Sequence, residues 1–453
     1  MNRREFIKLS LAATAALTIP SISQASVLDF SKVDFSQTLY NSNNAQVIMV
    51  FLYGGASQLC ANLTNIDAIK TNSQSDYDNY FRGITTTNNN LWQEAGGTHL
   101  EEMISAGDAT IFRTCYSQVR EDAGNKAHGE CTAQNQKGSF DDTNAGIIAN
   151  LAAILQNKNI IDENTLMPFV TLEGESKFYM PGSLRLDSYL RAVGLDEELN
   201  NPYSRSNIRN WFYYNSQERD IENYNDDELG FDPDLDIKMN NLAQKYNTNE
   251  TIKNDFEKRK ELSVFIDNIS ETTTPELGNN AYPTNSNFAE KIETAINVMS
   301  ANPDTKVITI GTSGLGGWDD HNDARDYVTR CESLFTTIKS AMAHLKAANK
   351  EDEISILVFG EFGRNVNLNA ALGWDHGNLQ NLYLFGGKSY FKHKGIVGET
   401  ELEDVGAVNR LYLKPKSGSY WFEPLSIAAT FYKIFGIQNP EILTGGYEPV
   451  DIF

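Results

Sequence analysis

A continuous apolar run covers residues 47–53 and stops at two glycines, Gly54 and Gly55. A strand with one face in water alternates apolar and polar residues, whereas a strand that is buried on both faces reads as an unbroken apolar run. The pattern therefore predicts a central strand of a parallel sheet that leads directly into a loop.

Further apolar runs follow along the chain, at residues 109–114, 169–172, 306–311, 354–359 and 382–385. Helical patterns lie between several of them. The clearest covers residues 327–345, where apolar side chains recur every three or four positions, and a shorter one covers residues 288–299. Strands that alternate with helices predict an α/β fold, a doubly wound and mostly parallel sheet with helices on both faces.

Two stretches depart from this pattern. Residues 26–45 are polar and rich in asparagine, which predicts a linker into a main domain over residues 46–453. Residues 195–282 are rich in Asn, Tyr, Asp and Glu, and apart from short helical patterns they show little apolar periodicity. They predict an acidic helical insertion or cap. The aromatic run at 211–214 within it leaves carbohydrate or polymer binding open as a minor hypothesis.

The first 25 residues have the pattern of an export signal. Arg3 and Arg4 precede an apolar stretch at residues 9–19, and small residues then lead to a cleavage site after Ala25. The paired arginines predict the twin-arginine translocase as an export partner, with a general secretion signal as the alternative. The apolar stretch is too short to span a bilayer, so we expect a periplasmic or otherwise exported protein with no stable transmembrane segment after cleavage.

The charge balance argues against nucleic acid as a partner. The chain has 60 acidic and 38 basic residues, and a net charge of -22 repels a phosphate backbone. The four cysteines show no metal-binding spacing. They are interpreted as buried thiols, with one disulfide as the alternative in an oxidising compartment.

Polar residues with metal-binding chemistry follow three of the predicted strands. Ligands bind a doubly wound sheet at the carboxyl ends of its strands, which makes these loops the place to look for a site. The residues are Asp319 and His321 after the strand at 306–311, Glu361, Arg364, Asp375 and His376 after the strand at 354–359, and Arg120 and His128 after the strand at 109–114. Carboxylate and imidazole groups are ligands for zinc, manganese or iron.

Each pair of Asp and His taken alone is more often structural than functional. Their joint position at one edge of the sheet favours a metal site, and Arg364 either binds a phosphate or sulfate group or forms a salt bridge with a carboxylate such as Glu361. The three other histidines, His99, His344 and His393, lack an acidic neighbour at a strand end, so we expect them on the surface.

The signal, the Gly54-Gly55 turn, the Gly-Trp-Asp-x-His block ending at His321, the Glu-Phe-Gly-Arg block at 361–364 and the Asp-His-Gly block at 375–377 resemble the domain of unknown function 1501 family. That family is similar to the alkaline phosphatase and sulfatase superfamily. The resemblance implies an alkaline-phosphatase-like fold with one or two divalent metal ions, zinc first and manganese, iron or calcium as alternatives. The implied ligands are Asp319, His321, Glu361, Asp375 and His376.

Two departures from the family pattern concern catalysis. Ser57 stands where the family carries an aspartate, and Ala127 stands where a serine precedes His128. The resemblance still predicts a hydrolase of small or polymeric phosphate or sulfate esters. In it, Ser57 or a water molecule attacks the ester, Arg364 offsets the charge that develops on the equatorial oxygens, and His128 donates a proton to the leaving group. The alternative is a catalytically degenerate member that serves as an envelope binding or assembly protein.

Overall fold

The computed structural model describes residues 29–173, 176–194, 274–312, 314–404 and 409–453, together with the single residues 241 and 245. The predicted signal peptide and nearly all of the predicted insertion, including the aromatic run at 211–214, lie outside these ranges. Among the described residues, no helix is both long and apolar enough to cross a membrane.

An eight-stranded sheet forms the centre of the molecule, in the order β10-β2-β9-β6-β1-β5-β3-β4. Within the described residues, β9 runs against its two neighbours and every other pairing in this sheet is parallel. The strands are β1 (Gln46–Leu52), β2 (Ala109–Tyr116), β3 (Phe169–Thr171), β4 (Val193–Gly194), β5 (Val307–Ile310), β6 (Ile354–Gly360), β9 (Leu379–Gly386) and β10 (Gly395–Val397). Two small ribbons pair β7 (Gly363–Arg364) with β8 (His376–Gly377), and β11 (Thr400–Asp404) with β12 (Leu411–Pro415).

Helices cover both faces of this sheet. They are α1 (Gln37–Asn43), α2 (Ile66–Asn72), α3 (Tyr77–Phe81), α4 (Gly97–Ser105), α5 (Gln118–Asp122), α6 (His128–Lys137), α7 (Ile147–Asn157), α8 (Asn287–Ala301), α9 (Asp326–Ala347), α10 (Leu425–Ile434) and α11 (Glu441–Thr444). Alternate residues of β1 enter two separate cores, because successive side chains of a strand point to opposite faces. Ile48 packs with residues of α4, α8 and α9, while Met49 packs with residues of α7 and α10.

The predicted architecture is confirmed. All seven residues of β1 are buried, which is why its sequence reads as an unbroken apolar run. The predicted helices at 327–345 and 288–299 correspond to α9 and α8, and both ends of each helix lie within two residues of the predicted bounds. The apolar stripe of α9 faces the core, as its spacing indicated.

The stretch predicted as a linker instead packs against the domain from Val33 onward. The Ser36 side chain caps the start of α1, and Asn44 ends that helix in the left-handed region, with φ 41°. The Asn43 side chain donates a hydrogen bond to the Ile434 carbonyl at 2.7 Å. Capping groups and one buried amide therefore fix a polar segment that hydrophobic pattern alone does not mark.

The expectation that His344 lies on the surface was wrong. Its side chain is 1% exposed, and its Nδ1 lies 3.1 Å from the Tyr282 hydroxyl. Thr337, Ser340 and His344 follow one another at three and four positions and form a second, polar buried stripe on α9. His99 pairs with Glu332 and His393 with Thr110, each half-buried. The four cysteines are buried free thiols, as interpreted.

Burial of His344 predicts a loss of stability in mild acid. Burial lowers the pKa of its imidazole to about 4 in the folded protein, against about 6.5 in the unfolded chain. Between these values the unfolded state binds the proton and the folded state does not, so stability is retained above pH 6.5 and lost as the pH falls toward 4. Urea unfolding at pH 7 and pH 5 should show a loss of about 2 kcal/mol from this group. His344→Gln should lack this component, and parallel pH profiles for both proteins would contradict the prediction.

Candidate metal centre

The loop that follows β1 allows the segments of the site to approach one another. Gly54 has φ +107°, and a Cβ atom there would lie 2.6 Å from the Asp319 amide nitrogen. The Trp318 amide donates to the Tyr53 carbonyl at 3.2 Å, which ties the loop after β5 to the end of β1. Glycine is therefore needed at position 54, because any side chain would push the loop bearing Asp319 away.

Four side chains converge at the carboxyl edge of the sheet. His128, Asp319, His321 and His376 each offer one ligand atom, and these atoms all lie within 4.8 Å of one another. The Nε2 atoms of His321 and His376 are 2.7 Å apart. The Asp319 Oδ1 atom lies 3.3 Å from Nε2 of His321 and 3.5 Å from Nε2 of His128. We call these four residues the histidine cluster.

Each histidine of the cluster has an oxygen acceptor at its other ring nitrogen. Nδ1 of His128 lies 2.9 Å from Glu361 Oε2, and Nδ1 of His321 lies 3.3 Å from Asp375 Oδ1. Nδ1 of His376 lies 2.6 Å from the Lys126 carbonyl, which can only accept. In a neutral imidazole these partners favour the tautomer with the proton on Nδ1, which leaves the Nε2 lone pair facing the centre of the cluster.

Glu361 and Asp375, both predicted as metal ligands, lie behind the histidines. One carboxylate oxygen of Glu361 accepts from the Gly54 amide and the other from His128. Asp375 bridges His321 and Arg410. In this arrangement the two carboxylates orient the imidazoles, and His128, predicted as a proton donor, instead lies among the converging groups.

Arg364 is buried and connects several loops through hydrogen bonds. Its guanidinium donates to the Gly55 carbonyl at 2.7 Å, to the Trp374 carbonyl at 3.0 Å and to Asp319 Oδ1 at 2.6 Å. Its side chain is 0% exposed. The predicted salt bridge to a carboxylate therefore forms with Asp319 instead of Glu361, and the guanidinium has no open side toward a ligand.

Electrostatic interactions favour a charged Asp319 and a neutral His376 in the cluster. Burial by itself raises the pKa of Asp319, but the hydrogen bond and charge of Arg364 outweigh it and hold that pKa below its ordinary value. Burial, aided by the positive charges of Arg364 and the neighbouring imidazoles, lowers the pKa of His376 to about 4. At neutral pH the carboxylate is thus charged and the imidazole neutral, which are the forms that bind metal ions.

Arg120 fixes the helix that carries His128. Its guanidinium donates to the Glu361 carbonyl at 2.8 Å and to the Asn135 side chain of α6 at 2.6 Å. This joins the second half of α6, whose first residue is His128, to the loop after β6. The position of His128 beside Glu361 therefore depends on a buried arginine that the sequence marked only by its place after a strand.

Ser57, the predicted nucleophile, lies in a turn. Its side chain is buried, and its hydroxyl accepts from the Leu59 amide at 3.4 Å, while its carbonyl accepts from the Tyr327 hydroxyl at 2.7 Å. In the described part of the chain, no hydroxyl group hydrogen-bonds to a side chain of the histidine cluster. The geometry thus gives no support to Ser57 as an attacking group.

Replacing Glu361 with glutamine should weaken metal binding without removing a ligand. The oxygen of a glutamine side chain can accept from the Gly54 amide or from His128. Its NH2 group then faces the remaining one of these two donors. We expect the affinity for zinc to fall about 10- to 100-fold, as is usual when a carboxylate behind a metal-binding histidine is replaced. Glu332→Gln, which changes the carboxylate beside His99, is the matched control. Equal zinc affinity in both variants would contradict the role of Glu361.

Fold and site together describe an α/β protein in which three histidines and one aspartate at the carboxyl edge of the sheet could hold a metal ion. The chain belongs to the DUF1501 family of proteins of unknown function, whose profile matches residues 44–408. No curated protein sequence matches it at a significant level.

Several solved structures resemble the chain at low identity. Ps i-CgsB, solved in complex with k-i-k-neocarrahexaose, shares 9% identity and a TM-score of 0.36 over 88% of this chain and 73% of its own. The lipoteichoic acid synthase LtaP from Listeria monocytogenes shares 8% identity and a TM-score of 0.34, over 90% of this chain and 77% of its own. Alkaline phosphatase from the Antarctic bacterium TAB5 shares 14% identity and a TM-score of 0.31, over 89% of this chain and 99% of its own. Such low TM-scores transfer neither a substrate nor a reaction to this chain.

Proposed function

We propose that this protein is an exported, divalent-metal-dependent hydrolase of phosphate or sulfate esters. The observation that carries the proposal is the histidine cluster, in which three Nε2 atoms and one carboxylate oxygen meet while every Nδ1 is held by an oxygen acceptor. A histidine set with each second nitrogen held in this way is typical of metal ligands.

The contact between His321 and His376 supports a cation at this place. Two Nε2 lone pairs at 2.7 Å repel each other unless a proton or a metal ion lies with them. Because the pKa of His376 is lowered to about 4, its neutral Nε2 accepts at neutral pH, either a proton donated by His321 Nε2 or a metal ion, and the proposal takes the metal ion. Three nitrogens and one oxygen suit zinc best, with manganese or iron as alternatives. Calcium prefers six to eight oxygen ligands and fits this set poorly.

The residues around the cluster suggest how an ester would react. A bound divalent ion supplies a Lewis acid that polarises a phosphoryl or sulfuryl oxygen. Asp319 and the three histidines would hold the ion, while Glu361, Asp375 and the Lys126 carbonyl hold the imidazoles in position. Because no described hydroxyl hydrogen-bonds to the cluster, water is a better candidate than Ser57 for the attacking group.

Export through the twin-arginine pathway fits this proposal. That pathway carries folded proteins, so a metal ion inserted before export would remain bound in the periplasm. The paired arginines at positions 3 and 4, ahead of a short apolar stretch, support this route.

A second candidate function is binding or assembly in the cell envelope by a degenerate enzyme. The burial of Ser57 in a turn and the absence of a hydroxyl at Ala127 favour it, because both remove possible nucleophiles. A bound metal ion would then have a structural role and no catalytic one.

Metal content and ester hydrolysis, measured on one preparation, test the proposal. We expect protein purified from its exporting host to hold about one equivalent of zinc, manganese or iron. We also expect it to hydrolyse p-nitrophenyl phosphate or p-nitrophenyl sulfate, to lose this activity with a chelator and to regain it with added metal. Folded protein that holds metal but hydrolyses neither ester supports the envelope role. Folded protein that binds no added metal overturns the metal site itself.

A further inference from the structure

Two of the four buried cysteines are in contact with each other. Cys60 lies in a single 3-10 turn, Leu59–Ala61, after the loop that follows β1, and Cys331 lies on α9. The Cys331 thiol donates a hydrogen bond to the Cys60 sulfur. The two side chains are 3% and 1% exposed. The fold therefore places two sulfur atoms from distant parts of the chain side by side.

The surroundings of Cys60 favour the thiolate form of its side chain. The Tyr383 hydroxyl lies 3.0 Å from the Cys60 sulfur, and because this hydroxyl accepts from Asn381 Nδ2 at 2.8 Å, its own proton is left for the sulfur. Burial by itself raises the pKa of Cys60, but hydrogen bonds, led by that of Cys331, outweigh burial and lower this pKa. Burial raises the pKa of Cys331, which stays a thiol. Since the thiolate is the nucleophile, Cys60 is the sulfur of the pair that reacts first.

A small internal cavity of about 20 Å³ adjoins the pair. Cys60 and Cys331 both line it, together with Trp318, Gln380 and Asn381. A water molecule needs about 10–15 Å³ of such space, so the cavity suits a guest of one or two heavy atoms. A molecule as large as glutathione cannot enter it. The cavity thus exposes both sulfurs to small molecules and protects them from large ones.

The walls of this cavity carry buried polar atoms without a partner. Among the described residues, none forms a hydrogen bond with Trp318 Nε1, Gln380 Nε2 or Asn381 Oδ1. The opposite end of each amide is fixed, because Gln380 Oε1 accepts from the Gly360 amide at 3.0 Å and Asn381 Nδ2 donates to the Gln58 carbonyl at 2.9 Å. Buried polar atoms usually have partners, so a polar guest is expected here. Two donors and one acceptor suit hydrogen peroxide, whose oxygens both accept and donate.

We propose that this cavity admits hydrogen peroxide, which oxidises Cys60 and Cys331 to a disulfide. In the first step the Cys60 thiolate attacks one peroxide oxygen, so that a sulfur–oxygen bond forms, the oxygen–oxygen bond breaks and hydroxide leaves. Cys60 is thereby oxidised to a sulfenic acid, and the peroxide is reduced.

In the second step the Cys331 sulfur attacks the Cys60 sulfur. The disulfide bond forms, the sulfur–oxygen bond breaks and a second hydroxide leaves. The protons of the two thiols end on the two hydroxides. Two thiols and one peroxide thus give one disulfide and two waters, with no other oxidant. The contact between Cys331 and Cys60 is what allows this step inside a buried site.

Thiol counting after peroxide treatment tests the proposal on the wild type. The folded protein is treated with hydrogen peroxide, the peroxide is removed with catalase, and the thiols are counted after unfolding in guanidinium chloride. We expect two of the four thiols to be lost and dithiothreitol to restore both. Peptide mass spectrometry should find the link between Cys60 and Cys331. Oxidised glutathione should leave all four thiols of the folded protein intact, and equally fast loss with this larger oxidant would overturn the role of the cavity.

Serine variants separate the two steps. In Cys331→Ser, Cys60 should stop at the sulfenic acid, which dimedone traps, and in Cys60→Ser the loss of thiols should be at least about 10-fold slower than in the wild type. Cys115→Ser is the matched control, because Cys115 is also buried and burial raises its pKa. This variant should still lose two thiols.

Two results would overturn the proposal. One is a wild type that keeps all four thiols in peroxide that oxidises the unfolded chain, which would leave water as the guest of the cavity. The other is equal thiol loss in Cys60→Ser and the wild type. The cavity is lined by residues other than those of the histidine cluster, and the assay uses neither metal nor ester. Failure here would therefore leave the proposed ester hydrolysis untouched.

Discussion

Replacing His376 with alanine is expected to remove the metal ion and to lower ester hydrolysis by at least about 1000-fold. His376 Nε2 lies 2.7 Å from Nε2 of His321 and its ring packs against His128, so its loss opens the centre of the cluster. Elemental analysis of the purified protein and kcat/KM for p-nitrophenyl phosphate or sulfate measure the two effects.

The control for this substitution is His99→Ala. His99 is also half-buried and paired with a carboxylate, Glu332, but it lies outside the cluster. It should keep full metal content and activity. If His376→Ala retains metal at the level of His99→Ala, the cluster is not the metal site.

Replacing Arg364 with alanine is expected to destabilise the fold by about 3–5 kcal/mol, because it removes the donor from two buried carbonyls and the partner from a half-exposed carboxylate. The carbonyls of Gly55 and Trp374 and one Asp319 oxygen all lose their partner. Arg364→Lys should lose less, since an ammonium can still pair with Asp319. Urea denaturation measures both variants.

Arg325→Ala is the control for the arginine, because Arg325 pairs with Asp323 at the exposed surface. Surface ion pairs contribute little, so this variant should lie within about 1 kcal/mol of the wild type. A similar value for Arg364→Ala would show that the loops do not depend on the buried guanidinium.

Much of the fold could be predicted from the sequence because burial on both faces leaves a strong local signal. The run at 47–53 and the stripe at 327–345 became β1 and α9 nearly as predicted. The packing of residues 33–44 was missed, because polar capping groups and one buried amide hold them. His344 was misplaced because its burial depends on Tyr282, a residue 62 positions away.

The candidate site was predicted in its location but not in its internal arrangement. Placing Asp319, His321 and His376 at the carboxyl edge needed only the rule that ligands bind where parallel strands end. Which carboxylate faces the centre and which orients a histidine depends on side-chain direction, and Glu361 and Asp375 therefore could not be told apart from Asp319. Arg410 follows no core strand and gave no signal at all.

The sequence by itself determined the α/β architecture and the loops that meet at one edge, because hydrophobic periodicity and strand ends are local properties of the chain. Only the tertiary structure decided that Arg364 is enclosed by carbonyls, that His128 joins the cluster and that Asp375 links His321 to Arg410. These roles depend on contacts between residues that are distant in sequence, and no local pattern encodes which atoms such residues present to one another.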